Sequence, residues 1–470
     1  MTDDTTATDA STAEDRATDG SDDDADWPTT DDRADDLADR LAERAVPLDG
    51  TDPELDLDDL DPFVDQLRGA RVVGLGEATH GTREFFQLKH RLIRLMVERL
   101  DCRIVALEAN FSETLAIDEY IVHGRGDPKD AIDGVYFWTW DTEEVLALIE
   151  WLREFNADRP LDDRVRFYGF DVQFTAGPAG ALIDFFDERD PDWLADHRET
   201  LATLANEGLR DDEPDDVIDE RLADAEATVE ALLAWFDDRD ETDDAVTLHR
   251  RHARALEQAI GVIHAGVIRA EREGESVEYF VRRDRAMAEN LSWVLDHGPG
   301  DRVAVWAHDM HLQRVTRETE PGPAPSMGEH LAERYGDDYY VVGFDFADGA
   351  FQALDVGADR DLRACSLGPP PEDAATRLFA AVDDPVWVLD LDEAAGDDRL
   401  ADWFDAERSV RSLGAVYDPD DEHDRLHDSY RLLDAFDGLL FVAETSRARP
   451  IERADTNERG TDEQGESTEN

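Results

Sequence analysis

Seven short apolar runs rich in β-branched residues recur along the chain, and helical patterns stand between most of them. The runs are RVVGLGE (71–77), CRIVALEAN (102–110), VRFYGFD (165–171), RVAVWAH (302–308), YYVVGFDF (339–346), PVWVLDL (385–391) and GLLFVAE (438–444). Runs of this length and composition read as buried strands. One intervening helical pattern is REFFQLKHRLIRLMVERL, directly after the first run. Another is TEEVLALIEWLREFN (142–156), with Thr142 placed as its N-cap. Alternating strands and helices demand an α/β fold in which a mostly parallel sheet is covered by helices. Residues 181–298 carry no such run and read as a helical insertion, broken at DERDPD and DDEPDD. The α/β core therefore comes in two parts, 31–180 and 299–449. The polar, acidic segments 1–30 and 450–470 are expected to be disordered tails.

In an open parallel sheet, ligands bind outside the carboxyl ends of the strands. Four runs here stop at polar groups suited to chemistry. The first ends at Glu77, with His80 just beyond; the second reaches Glu108; the third ends at Asp171; the fourth ends at His308, with His311 three residues on. Any one of them alone reads more readily as a strand cap. Together, in parallel strands, they converge on one edge of the sheet and predict a site there.

Histidine is the side chain best placed to take a proton from water near neutrality. A carboxylate beside it orients the ring and stabilises the imidazolium, a task for Glu77 or Glu108. N–H groups of His308 and His311 are expected to face a substrate carbonyl and its developing oxyanion. This equipment suits hydrolysis of an activated carbonyl, an ester or a lactone. There is no G-x-S-x-G elbow, and neither cysteine (Cys102, Cys365) sits in a strand-to-helix turn beside a histidine, so water is the expected nucleophile. The same histidines and glutamates are legitimate metal ligands, but no four-ligand motif is legible. No cofactor is therefore expected, and a metal-dependent hydrolase stands as an alternative.

The chain has two lysines, Lys89 and Lys129, among 47 basic residues. In the helix after the first strand, Phe85, Leu92 and Met96 share a stripe, and Lys89 lies inside it, while Arg91, Arg94 and Glu98 are expected on the opposite, solvent-facing side. Lys89 is thus expected to point inward. A lysine there either snorkels to water or finds a carboxylate, and the nearest acids are those at the strand ends. It is assigned to the site. Trp138 is expected to line a cleft and Trp140 to pack in the core. The helix carrying Arg283, Asp284, Met287 and Asn290 is expected to form the facing wall, with Arg283 and Asp171 as substrate-binding residues.

With 117 acidic against 47 basic residues the net charge is −70, spread along the chain. Such a field repels nucleic acid and anionic lipid. It suits a salt-rich cytosol, because at molar salt the Debye length is only ~3 Å. No apolar run approaches a membrane span, and the N-terminal residues are the reverse of a signal peptide, so a cytoplasmic protein acting on a small molecule is expected.

Seven blocks carry a resemblance. VVGLGEATHGTREFFQLKHRLIR, IVALEANFSE, FWTWDTEEVLALIEWLREFN with VRFYGFDVQ, RDRAMAENLSWVL, VAVWAHDMHLQR, SMGEHLAERYGDDYYVVGFDFADGAF and FDGLLFVAETSRARP stand in an order that resembles the erythromycin esterase family over about residues 60–450. The resemblance implies a three-layer core with a helical insertion and an esterase that opens macrolide lactones by water attack. It implies His80 as general base, with Glu77, Glu108, His308 and His311 in the same site. The position of Lys89 is arginine in some members, and lysine keeps the charge without the bidentate fork. Where members often have Asn-Gly or Asn-Ala between the paired histidines, this chain has Asp309 and Met310, a carboxylate expected to raise the histidine pKa values or reshape the pocket. The competing reading is a binding protein on a related α/β scaffold, with haem or iron held by His308 or His311.

Overall fold

The computed structural model of the protein describes residues 31–453 apart from 207, 209–213, 240–242, 269–276, 319–321, 359, 369, 372–373 and 420–426. All seven runs form strands, and with Val46–Pro47 they build one eight-stranded sheet. In chain order the strands are β1 (Val46–Pro47), β2 (Val72–Leu75), β3 (Ile104–Asn110), β4 (Arg166–Asp171), β5 (Val303–Trp306), β6 (Tyr339–Gly349), β7 (Val386–Asp390) and β8 (Gly438–Thr445). Across the sheet they lie β1-β7-β8-β6-β2-β5-β3-β4. The six from β8 to β4 pair in parallel, whereas β7 is antiparallel to both its neighbours.

Strand pleating sends alternate residues to opposite faces, and both faces are covered. Val73, Leu75, Val105, Leu107, Ala304 and Trp306 join one apolar cluster with the helices Arg83–Arg99 and Glu143–Asn156. Val72, Ile104, Ala106, Val303 and Val305 join another with the helices Glu278–His297 and Met327–Tyr335. The result is three layers, helix–sheet–helix. Each buried Val or Leu side chain contributes ~1.5–3 kcal/mol to that packing. Thr142 caps its helix as expected, accepting from the Val145 N–H at 3.3 Å.

Between β4 and β5 the regular structure among the described residues is helical. Four helices, from Ala176–Arg189 to Asp244–Ile263, share an apolar core of their own that includes Phe186, Leu201, Leu232 and Leu256. The last helix, Glu278–His297, instead turns Met287, Leu291 and Val294 onto the sheet, because these apolar residues recur at i, i+4, i+7. The expected tails at 1–30 and 454–470 lie outside the described residues; Pro450–Arg453 lie within them, and Ile451 is buried.

Two features differ from expectation. Arg91 is buried and Arg94 mostly covered rather than facing solvent. The segment 49–60 lies over that side of the helix, and Arg91 is buried, donating to the Gly50 carbonyl at 2.6 Å, the Asp56 carbonyl at 2.7 Å and Asp59 at 2.6 Å. Arg94 donates to the Pro53 carbonyl. The second is a set of short polar strands over the carboxyl end of the sheet. Phe351–Asp355 pairs with Asp361–Cys365 and with Val416–Tyr417, and Arg408–Arg411 pairs with His427–Tyr430. They touch the strand ends directly: Gln352 N–H donates to the Gly81 carbonyl at 2.9 Å, and Leu413 N–H to the Ala78 carbonyl at 2.8 Å.

The chain leaves β2 toward β3 on one side and leaves β5 toward β6 on the other. That reversal opens the crevice outside the carboxyl ends of β2 and β5.

Candidate active site

Five residues after β2 ends, the His80 ring comes back to Glu77. The Nδ1 of His80 lies 2.8 Å from Oε1 of Glu77, so that nitrogen carries the proton and donates it. The other oxygen, Oε2, accepts from the Lys89 ammonium at 2.5 Å and from the Trp306 indole N–H at 2.9 Å. Glu77 is fully buried and three donors converge on it. Burial alone would raise its pKa, but Lys89 and then His80 outweigh that and hold it down at about 2. Lys89 is buried, faces Glu77, and lies 4.7 Å from the Trp306 ring. Burial draws the ammonium below the ordinary lysine value, against the pull of Glu77. The ion pair is the state that fits the three-donor geometry around Glu77.

The strand ends of β3 and β4 meet through one arginine. Arg283 begins the sheet-facing stripe of its helix and reaches past the sheet edge. It forks onto Asp171 at 3.0 and 2.8 Å, donates to Oε1 of Glu108 at 2.7 Å, and donates to Nε2 of His311 at 3.0 Å. Burial opposes the charge of Asp171, but Arg283 holds its carboxyl below the usual range. The second oxygen of Glu108 accepts from the His308 backbone N–H at 2.9 Å, which ties β3 to the end of β5.

His308 is buried, and both its ring nitrogens are used. Nδ1 accepts from the Met310 N–H at 3.1 Å, capping the short helix Asp309–Leu312, so Nε2 carries the proton and donates it to the Leu413 carbonyl at 3.0 Å. Burial, and then the His80 ring with its centroid 4.8 Å away, push its pKa well below the usual imidazole value. His311 donates from Nδ1 to Asp284 at 2.5 Å, and its Nε2 faces Arg283. Neither ring therefore presents a free N–H to a substrate carbonyl in this conformation, contrary to expectation, because the Leu413 carbonyl and Asp284 have already taken them.

Asp309 also departs from expectation. It turns away from the histidines into the interior, where the Phe344 N–H donates to its carboxyl at 3.1 Å. Burial raises its pKa well above the carboxylate range, so it does not act as the anion that would raise His308 or His311. Gly76 makes this possible, since a Cβ there would collide with the Asp309 carboxyl.

Eight of the nine residues singled out in sequence, Glu77, His80, Lys89, Glu108, Asp171, Arg283, His308 and His311, form one connected cluster. Trp138 does not join it by any described contact; it is partly exposed on a turn. Trp140 is the tryptophan beside His80, with ring centroids 6.4 Å apart and its indole N–H on the Glu108 carbonyl at 3.0 Å. Trp306 and the Leu413 carbonyl are site members that the sequence reading missed. Trp306 was recoverable, since alternation within RVAVWAH turns it toward the Lys89 helix. A backbone carbonyl leaves no mark in sequence. Among the described residues, no three His, Cys, Asp or Glu side chains converge as metal ligands. The carboxylates are saturated by nitrogen donors, and both rings of the histidine pair are engaged, so this donor set does not fit a metal or haem iron.

His80 is the exposed member of the cluster, with 13% of its side chain reachable. Its Nε2, opposite Glu77, is the nitrogen left to act as a base.

The chain is 25% identical over 342 residues to a putative hydrolase, YbfO, of Bacillus subtilis (strain 168), covering 69% of this chain and 75% of that protein. It is 26% identical over 336 residues to erythromycin esterase type II of Escherichia coli, covering 66% of this chain and 77% of that one. A crystal structure of a Bacillus cereus protein is similar with a TM-score of 0.77 at 23% identity, covering 89% of this chain and 99% of that one. The sequence model for erythromycin esterase matches residues 97–445, a span that holds Glu108, Asp171, Arg283, His308 and His311, with Glu77, His80 and Lys89 just upstream. By that match, the chain belongs to the erythromycin esterase family.

Proposed function

We propose that the protein hydrolyses carboxylic esters, macrolide-type lactones among them, with water activated by His80. Family membership suggests a hydrolase. The observation that carries the finer reading is the Glu77–His80 pair at 2.8 Å, with Nε2 on the reachable side of the ring. In this reading Nε2 takes a proton from water as the oxygen attacks the carbonyl carbon. Glu77 stabilises the imidazolium, and Lys89 with Trp306 keeps Glu77 in place. When the tetrahedral intermediate collapses, the same nitrogen returns the proton to the departing alcohol oxygen. A positioned base of this kind is worth ~10²–10⁴ in rate.

The carbonyl needs a donor. The His308 Nε2–H is 3.0 Å from the Leu413 carbonyl, and its ring is a neighbour of His80. A substrate carbonyl that replaced the Leu413 oxygen would receive that N–H as an oxyanion donor, worth ~10²–10³. Glu108, Asp171 and Arg283 hold the strand ends in register for this arrangement. The test is direct: purified protein in molar KCl with erythromycin and a panel of simple esters, followed by mass spectrometry. The expected product has gained one water. Turnover of none of them would remove this reading, and loss of turnover on chelation would replace it with metal-assisted hydrolysis.

A further inference from the structure

We propose that the cavity between the helices Arg83–Arg99 and Glu143–Asn156 is a second binding site, built for a small organic ammonium ion with a flat apolar body. The cavity holds about 600 Å³ and lies on a different face of the first helix from the catalytic cluster. Lys89 points at Glu77; His90, the next residue and about 100° further round the helix, lines the cavity.

His90 is the observation that calls for a ligand. It is only 4% exposed, and neither ring nitrogen has a hydrogen-bond partner. A buried polar group left unpaired costs ~1–3 kcal/mol, so an imidazole in this state is complete only when something else occupies the space. Burial, helped by the nearby Arg94 cation, draws the ring down to about 3. The imidazole is therefore neutral at working pH and offers one N–H and one lone pair. Trp151 lies beside it, with ring centroids 5.7 Å apart at 59°. The lone pair accepts from an ammonium N–H, and the indole, whose ring centroid also lies 5.9 Å from the Arg94 guanidinium carbon, adds a π face for the cation.

The remaining lining is charged. Arg83 is paired with Glu144 at 3.2 Å, Arg449 with Glu143 at 3.7 Å and Arg94 with Glu98 at 3.5 Å, so each arginine of the lining has a carboxylate partner. The rim is acidic and exposed, with Asp52, Glu54, Glu150 and Glu154. In molar salt such a rim attracts only at contact distance. Selectivity then rests on the imidazole and the indole, not on the overall negative field.

Calorimetric titration of the full chain in molar KCl tests this, with phenethylamine as the probe. Saturable one-to-one binding is expected, unchanged in His80→Ala. Phenethyl alcohol, the same body without the charge, is expected to bind about tenfold or more weakly. Trp151→Leu and His90→Phe are each expected to weaken phenethylamine about tenfold, and His90→Gln, which keeps a hydrogen-bond acceptor, to restore most of it. Tetramethylammonium has no N–H and is expected to be indifferent to His90→Phe. Circular dichroism of each variant separates lost binding from lost fold. A phenethylamine titration without saturation, equal binding of amine and alcohol, or binding unaffected by both Trp151→Leu and His90→Phe would overturn the proposal and leave a cavity that holds water only.

Discussion

Lys89 and Glu77 are each costly to bury alone, and the fold buries both. Lys89→Met leaves Glu77 without its ammonium and is expected to cost about 3–5 kcal/mol in chemical denaturation, the usual penalty for breaking a buried pair. The pH dependence follows from Glu77. Its folded pKa, at about 2, lies below its unfolded value, so the stability it contributes is present above the ordinary carboxylate range. That stability is expected to fall away as the pH drops from about 5 toward about 2, and the fall should be smaller in Glu77→Gln. Asp309 has the opposite sign. A carboxyl whose folded pKa is raised stabilises below its unfolded value and loses that contribution as the pH rises. Asp309→Asn is therefore expected to raise the melting temperature at pH ~7, with the gain shrinking toward acid. The inward direction of Lys89 was legible from the stripe of Phe85, Leu92 and Met96. The burial of Arg91 was not, because it depends on the segment 49–60, which folds over the helix from outside it.

Strands β2 to β8 were legible because each is a continuous apolar run, the mark of a strand covered on both faces. β1 is two residues long and escaped notice. The short strands over the carboxyl end of the sheet, the cap, are mixed in burial, from Phe351–Asp355, largely buried, to Asp361–Cys365, mostly exposed, and are too short to carry an apolar period. Yet the cap supplies the Leu413 carbonyl that occupies His308, so the part of the site least visible in sequence came from the elements least visible in sequence. The seam between cap and sheet gives a prediction at this scale. A Cβ at Gly81 would collide with the backbone of Gln352, and Gln352 holds Gly81 by its own N–H. Gly81→Ala is expected to cost ~1–3 kcal/mol by overpacking. It should lower ester hydrolysis more than it lowers stability, because the displaced backbone adjoins His80. Equal activity at equal protein concentration would separate the cap from the site.

For the molecule as a whole, a net charge of −70 resists compaction unless salt screens it. Far-ultraviolet circular dichroism is expected to show loss of helix in dilute buffer and recovery in molar KCl; identical spectra would contradict this. Among the described residues, no helix is long and apolar enough to cross a membrane. The three layers, the parallel strands and the reversal between β2 and β5 bring six acids and imidazoles, with Lys89 and Arg283, to one edge, and the central claim is that His80 uses that edge to activate water. The most direct measurement is kcat/KM of His80→Ala against the unaltered protein, on whichever ester the unaltered protein turns over, in molar KCl. The account predicts a loss of ~10²–10⁴ with an unchanged circular dichroism spectrum. Activity within a few-fold of the unaltered protein would contradict it.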